Sequence, residues 1–191
     1  MGVKRVGRGA QAALVVMLLA EVCMGMTDRQ KAEWPLLIMV AQTYDLSRED
    51  SLMLLAIRDA EGGGKGYEFG VKAARGSDLA TQAQWCAGSI RANRGRYRTL
   101  LQEGVYRGSM REVRLEGAQE AKNDAFRVVV IEKPDFVEFF SYYGSPTGFG
   151  WAPIHAIMPA HDKRSNKNFA PNVRRLMEKY EQMFKQGEVE L

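Results

Sequence analysis

Cysteine and histidine are scarce in this chain, which contains two of each among its 191 residues. Cys23 and Cys86 form no Cys-x-x-Cys pair, so the sequence provides no disulfide framework. His155 and His161 are both predicted to lie in loops. A zinc site usually needs three or four His, Cys or carboxylate ligands at close spacing, and the sequence shows no such cluster. We therefore expect no bound metal.

Several widespread catalytic motifs are also missing. The chain has no Gly-x-Ser-x-Gly elbow, no phosphate-binding loop of the GxxxxGK[ST] type and no dinucleotide-binding fingerprint after a strand. Cys86 falls on the apolar face of a predicted helix, where a thiol packs as a small apolar residue and is a poor nucleophile. These absences argue against a serine hydrolase, a P-loop protein or a nicotinamide enzyme, and we expect no organic cofactor.

The long uncharged stretch at residues 12–20 is too short to cross a bilayer comfortably. Basic residues precede it and small residues follow it, which is the layout of a secretory signal. We therefore predict that residues 1–26 are a signal peptide or N-terminal anchor and that residues 27–191 form the domain. Two alternatives stay open: an additional amphipathic helix, or a start of translation at Met24 or Met26.

The charge of the chain is mildly positive, with 27 basic and 23 acidic residues and a net charge of +4. Such an excess favours polyanions, whether nucleic acid, anionic lipid or an acidic cell-wall polymer, without selecting among them. The arginine-rich stretch 91–98 adds a local basic segment. A run of this kind either contacts a polyanion or forms the solvated face of a helix.

Helix-start signals indicate where most of the elements begin. Thr27 opens a capping box, and Pro35 is placed near the first turn of an apolar helix that spans residues 36–43. Ser47 is predicted to begin the next helix, and Asp78 to cap a long helix that follows.

Residues 104–133 differ from this helical pattern. The segments 111–115 and 126–131 are rich in β-branched residues and partly alternating, which is typical of strands. We predict that they pair as a small β-hairpin, inserted into an otherwise helical domain.

Aromatic residues then mark a short helix. Four aromatic residues follow helical spacing and are predicted to face the core: Phe136, Phe139, Phe140 and Tyr143. A loop at 144–168, rich in Gly and Pro, is predicted to lead to a final amphipathic helix. The expected fold class is mainly α with a small β-hairpin insertion.

Glu61 is the candidate reactive residue. It ends an apolar helix and is followed by three glycines, at 62–64, which cannot continue the helix but allow backbone to approach closely. A carboxylate gains little from the negative end of a helix dipole. Glu61 is either a solvated residue before a glycine C-cap or a carboxyl group presented to a substrate. A general acid at a glycosidic bond needs a raised pKa, which an apolar setting near Tyr67 and Phe69 would provide.

Two segments, Ala-Ile-Arg-Asp-Ala-Glu-Gly-Gly at 56–63 and Tyr-Glu-Phe-Gly-Val at 67–71, resemble the lysozyme-like superfamily. The likeness is closest to lytic transglycosylases and goose-type lysozymes of phages and bacteria. In those proteins a helix ends in the catalytic glutamate, a glycine-hydrophobic segment lies beside the cleft, and a further helix follows. Gly62 departs from the serine that is usual after the glutamate.

The resemblance implies a lysozyme-like α+β fold and cleavage of peptidoglycan between N-acetylmuramic acid and N-acetylglucosamine. Glu61 would act as general acid and then as general base. Substrate-binding roles would belong to four residues: Phe69, Gln82, Tyr142 and Tyr143. A second carboxylate, if one is needed, would be Glu68, Asp78 or Asp162. The outcome could be hydrolysis or formation of an anhydro sugar.

The expected partner is therefore the glycan strand of peptidoglycan, met in the periplasm, the cell envelope or a phage particle. We expect a monomer with no nucleic-acid partner and no stable membrane span. The alternative is a non-enzymatic module that binds the cell wall or nucleic acid through the basic helix face at 91–98.

Overall fold

A computed structural model describes residues 26–71, 74–107, 111–117, 127–131, 135–143 and 160–186. In these ranges the backbone forms five helices and three short strands. The elements, in chain order, are α1 (Asp28–Thr43), α2 (Arg48–Glu61), α3 (Leu79–Glu103), β1 (Val105–Arg107), β2 (Arg111–Leu115), β3 (Arg127–Ile131), α4 (Phe136–Tyr143) and α5 (Ala160–Gln186). The prediction of a mainly helical fold with a small hairpin is confirmed.

Side-chain caps fix the starts of the first three helices. The Thr27 hydroxyl accepts from the Gln30 backbone at 3.2 Å while the Gln30 side chain accepts from the Thr27 backbone at 2.9 Å, which completes the predicted capping box. Ser47 accepts from the backbone of Asp50 at 3.2 Å, and Asp78 caps α3 in the same way. These caps satisfy backbone N–H groups that a helix leaves without partners.

Pro35 is placed differently from the prediction. It lies inside α1, which is one continuous helix, rather than near the start of a separate helix at 36–43. An internal proline removes one backbone hydrogen bond. The burial of Trp34, Leu37 and Ile38 on the inner face of α1 offsets that loss.

Helix α2 forms the centre of the domain. Every residue from Asp50 to Arg58 is buried, because α1, α3 and α5 all pack against this helix. Its sequence is apolar on all sides from Leu52 to Ile57, which is typical of a fully enclosed helix. The packing fixes the last turn of α2, and with it the position of Glu61.

The small sheet has the order β1-β2-β3, with an antiparallel pair followed by a parallel pair. Val105 pairs with Arg114 in the antiparallel hairpin, and Arg111 pairs with Arg127 in the parallel pair. The predicted hairpin between residues 111–115 and 126–131 is therefore wrong in its pairing, since those two strands run parallel. The segment between β1 and β2 is short enough for a hairpin, whereas the one between β2 and β3 is long enough for a crossover.

The three phenylalanines of α4 lie in the core, as predicted, and the same prediction for Tyr143 falls outside the described side chains. Phe136, Phe139 and Phe140 are all buried, and the Tyr97 ring of α3 lies 5.4 Å from the rings of both Phe136 and Phe139. These contacts join α4 to α3 and close one end of the domain.

Helix α5 starts earlier than the sequence predicts. Residues 160–168, expected to end a loop, already belong to this helix, so His161 lies on a helix and not in a loop. The later start was predicted because residues 144–168 are rich in Gly and Pro, and Pro171 also stands inside the helix. The predicted apolar face is present, with Val173 and Tyr180 fully buried. The loop prediction for His155 falls outside the described residues.

Of the predicted leader 1–26, the structure describes Met26 alone, which packs against the core. The rest of that prediction lies outside the described residues. No helix in the described part of the chain is long and apolar enough to cross a membrane.

Candidate active site

Glu61 is the last residue of α2, and its side chain is half-buried. Gly62 follows in the left-handed conformation, with a φ of 58°, and its N–H bonds to the Arg58 carbonyl at 3.3 Å. This is a glycine C-cap. Burial raises the pKa of Glu61 to about 7, so the group holds a proton in part of the molecules at neutral pH.

Gly70 lies directly against the Glu61 carboxyl group. A Cβ atom at position 70 would be 2.8 Å from Oε2 of Glu61 and 3.3 Å from its Cδ. The φ of Gly70 is 65°, a conformation that other residues adopt at a cost. Glycine is therefore required at position 70 for both its backbone conformation and its lack of a side chain.

Cys86 of α3 forms part of the same surroundings. Its side chain is fully buried, and burial together with the negative charge of Glu61 raises the pKa of the thiol. The thiol therefore stays protonated and is not a nucleophile. The prediction that Cys86 packs as a small apolar residue is confirmed.

Glu68 is buried and engaged by the loop that contains it. Its Oε1 accepts from the Gly66 N–H at 3.0 Å, and its Oε2 accepts a short hydrogen bond from Nε2 of Gln82. Gln82 in turn accepts from the Phe69 N–H at 3.2 Å and donates to the Ser77 carbonyl at 3.3 Å. These bonds join the loop to the first turns of α3.

Two predicted substrate-binding residues are corrected by their burial. Phe69 is 1% exposed and Gln82 is 0% exposed, so neither side chain can contact a substrate in this structure. Phe69 belongs to the hydrophobic core, and Gln82 is used in holding the loop. The buried Glu68 is likewise a poor second catalytic carboxylate.

The other predicted site residues fall in separate places. Asp78 caps α3, since its Oδ1 accepts from the backbone N–H of Thr81 at 2.7 Å. This bond and one from the Thr81 side chain lower the pKa of the exposed Asp78 carboxyl group. Tyr142 and Tyr143 lie in the last turn of α4, and Asp162 lies in the first turn of α5. The side chains of these three residues are outside the described part of the structure.

Arg58 is a residue that sequence reasoning missed. Its guanidinium is buried, and Nη1 donates to the carbonyls of Gly63 and Glu68, each at 3.3 Å, while Nη2 donates to Glu33 of α1 at 2.8 Å. An arginine directly after the apolar run of α2 is a sequence signal for a buried partner. Its partners could not be read from the sequence.

Asp59, two residues before Glu61, is held by donors from two other helices. Arg29 and the Gln30 side chain of α1 donate to it at 2.5 and 2.6 Å, and the Tyr180 hydroxyl of α5 makes a short bond. Burial and the hydrogen bond to Asp59 raise the pKa of Tyr180. This network fixes the last turn of α2 against α1 and α5.

The arginine-rich segment 91–98 lies on α3, and Arg94 is used within the protein. It pairs with Asp50 at 2.7 Å and with Glu49 at 3.0 Å, and it lies 3.7 Å above the ring of Phe136. Arg94 and Glu49 line a shallow cleft of about 350 Å³, where residues of α2, α3, α4 and α5 meet. Glu61 does not line this cleft, so we assign the candidate reaction centre to the loop side of α2.

Metal-binding geometry does not occur in the described ranges: no three His, Cys, Asp or Glu side chains there are grouped so that they could hold an ion. Comparisons of the chain with models of protein families, with curated proteins and with solved structures gave no match. The function must therefore be argued from the geometry around Glu61.

Proposed function

We propose that this protein cleaves the glycosidic bond between N-acetylmuramic acid and N-acetylglucosamine in peptidoglycan, with Glu61 as the general acid. One observation carries the proposal: a half-buried carboxyl group with a pKa of about 7 stands at a helix end beside the glycine backbone of position 70. The resemblance of residues 56–63 and 67–71 to lytic transglycosylases and goose-type lysozymes indicates the substrate.

The chemistry follows from the protonation state. A protonated Glu61 donates its proton to the glycosidic oxygen while the bond to the anomeric carbon breaks, and the leaving sugar departs as an alcohol. The resulting carboxylate then removes a proton from the attacking hydroxyl group. With water as the nucleophile the product is a reducing sugar, and with the sugar's own hydroxyl it is an anhydro sugar.

The arrangement of the neighbouring carboxylates favours a single acid. Glu68 is bound by Gln82, Asp59 by Tyr180 and two residues of α1, and Asp78 by the start of α3. Each has a role in holding the fold, so none of these three is free to act as a nucleophile. The excess of positive charge on the chain suits an acidic wall polymer met in the envelope or in a phage particle.

The test compares Glu61→Gln with Glu103→Gln, an exposed control at the end of α3. Both proteins are incubated with purified murein, and the soluble fragments are identified by mass spectrometry. We expect wild-type cleavage from the control and a loss of at least 10²-fold from Glu61→Gln, with binding to murein retained. Near-normal cleavage by Glu61→Gln would refute the proposal. The masses of the fragments distinguish reducing from anhydro ends.

The non-enzymatic alternative has less support, because Arg94 at the centre of the basic segment is paired with Asp50 and Glu49. Arg91 and Arg98 are exposed and are the residues to change. If Arg91→Ala/Arg98→Ala abolished binding to murein or nucleic acid in a protein that never cleaves murein, the binding module would be the correct reading.

A further inference from the structure

The loop between α2 and α3 determines what the Glu61 carboxyl group meets. Its first part, residues 62–71, returns at Gly70 to within contact of Glu61. If the loop moved outwards, water would reach this side of the carboxyl group. The question is what holds the loop in place.

The first attachment is Arg58, which lies almost one turn before Glu61 on the same helix. Its Nη1 bonds to the carbonyls of Gly63 and Glu68, so one group ties the beginning of the loop to its middle. Glu33, a residue of α1, forms an ion pair with Arg58 and balances its charge. The Nε of Arg58 is buried and has no hydrogen-bond partner in the described residues, so burying this side chain is costly in itself.

The second attachment is the pair Glu68 and Gln82. Glu68 accepts from the N–H of Gly66 and from Gln82, and Gln82 also bonds to the N–H of Phe69. Phe69 is the residue next to Gly70. The side-chain amide of Gln82 therefore fixes the backbone immediately before the contact with Glu61, and it does so from the rigid α3.

We propose that Arg58, Glu68 and Gln82 are positioning residues, which together hold Gly70 against the Glu61 carboxyl group and exclude water from that side. None of the three touches the carboxyl group in a described hydrogen bond, and each acts through the loop backbone. The catalytic meaning of this inference rests on the proposed function, but the geometry that it describes does not.

The titratable group that faces Glu61 from α3 is the thiol of Cys86, which remains uncharged near neutral pH. Burial is the cause of the raised pKa of Glu61, with no contribution from a charged group in the described residues. Because the contact with Gly70 contributes to that burial, the pKa of Glu61 should respond to a displacement of the loop. It can be measured by NMR titration of ¹³C-labelled glutamate carboxyls, with Glu61→Gln used to assign the signal.

The sharpest test exchanges the two members of the second attachment. In Gln82→Glu two carboxyl groups face each other, and above the pH at which they share a proton they repel, so the loop loses this attachment. In the double variant Glu68→Gln/Gln82→Glu, the amide at position 68 donates to the carboxylate at position 82. The bonds from the N–H groups of Gly66 and Phe69 are also kept, so three of the four bonds described above are restored, and only the donation to Ser77 is lost.

We expect the pKa of Glu61 to fall by about one unit or more in Gln82→Glu, towards the ordinary glutamate value, and to recover in the double variant. In Arg58→Lys the side chain is one bond shorter, so its ammonium falls short of the Nη1 position from which both carbonyls are bonded, and the pKa of Glu61 should fall there as well. If Gln82→Glu does not fold, the double variant and Arg58→Lys still decide the question. An unchanged pKa in folded Arg58→Lys, or a folded double variant whose pKa stays low, would overturn the proposal.

The two proposals fail separately. If the pKa of Glu61 responds as expected but the wild-type protein leaves murein uncut, the positioning role stands and the proposed activity is wrong. If murein is cut but the pKa of Glu61 is unchanged in Gln82→Glu and in Arg58→Lys, the activity stands and the positioning role is wrong. In an active enzyme, loss of the loop contact should also move the alkaline limb of the pH–rate profile to lower pH and reduce kcat more than it raises KM.

Discussion

Asp59 and Glu61 stand two residues apart in the last turn of one helix, and the fold treats them in opposite ways. Asp59 receives hydrogen bonds from Arg29, Gln30 and Tyr180. Glu61 receives no hydrogen bond from the described part of the chain and meets the backbone of Gly70. A carboxylate whose lone pairs are filled by fixed donors holds a structure together. A carboxyl group that is shielded from water and lacks such donors keeps its proton near neutral pH, so it can act as a general acid.

The largest expected difference between the two carboxyls is in turnover. The proposed function predicts that Glu61→Gln lowers cleavage of murein by about 10²–10⁴-fold, because the transferable proton is gone, and that Asp59→Asn lowers it only through any loss of folded protein. Initial rates are compared at temperatures where circular dichroism shows both variants to be folded. Equal losses in the two variants would remove the distinction between them.

The next difference is in stability against pH. Burial raises the pKa of Glu61 to about 7. At low pH the group is protonated in both folded and unfolded chains, so there it does not lower the free energy of unfolding. Between the pKa of Glu61 in the unfolded chain, 4.5, and its pKa of about 7 in the folded chain, the free energy of unfolding falls as pH rises. The total loss is about 3 kcal/mol and is complete above pH 7. Glu61→Gln should therefore be more stable than wild type at pH 8 by up to about that amount.

Urea unfolding of wild type and Glu61→Gln at several pH values between 4 and 8 measures this difference. The two stability curves should separate as pH rises. Curves that stay parallel over this range would show that the Glu61 carboxyl group is hydrated in the folded protein.

Asp59→Asn should lower the stability of the protein, whereas Glu61→Gln should raise it. The amide places a donor where Gln30 and Tyr180 also donate, so buried bonds are lost and the free energy of unfolding should fall by about 1–3 kcal/mol. The pH at which Glu61 titrates should not move. A variant of unchanged stability would show that α1 and α5 do not depend on this carboxylate.

The smallest change in stability is expected at Arg29, the exposed partner of Asp59. The Arg29 side chain is 43% exposed, and its ion pair with Asp59 is therefore well screened. Arg29→Gln should change the free energy of unfolding by less than about 1 kcal/mol. Thermal unfolding in low and high salt measures this, and a loss as large as that of Asp59→Asn would make Arg29 an equal partner of Gln30 and Tyr180.

The sequence was sufficient for features that depend on neighbours along the chain. Helix caps at Thr27, Ser47 and Asp78 are local hydrogen bonds, so residue type and spacing predict them. The end of α2 at Glu61 follows from the glycines, and the burial of the α4 phenylalanines follows from their helical spacing. The position of the candidate acid was predictable for the same reason.

The rest depends on residues distant in sequence. The approach of Gly70 to Glu61 needs a loop held from both sides, and the roles assigned to Phe69 and Gln82 changed because both side chains are buried where the loop meets α3. Pairing of β2 with β3 was mistaken because alternation predicts strands but not their direction. Pro35 and Pro171 lie inside helices because tertiary packing outweighs their local preference.

The enclosure of α2 has a consequence for when the protein becomes chemically competent. Helix α2 is wrapped by α1, α3 and α5, and a helix of its length is marginal in water without such packing. The Glu61 carboxyl group acquires its shielded surroundings only when segments from both ends of the described chain have assembled. If the proposed activity is correct, the ability to cut murein should therefore appear in the same cooperative step as the native fold.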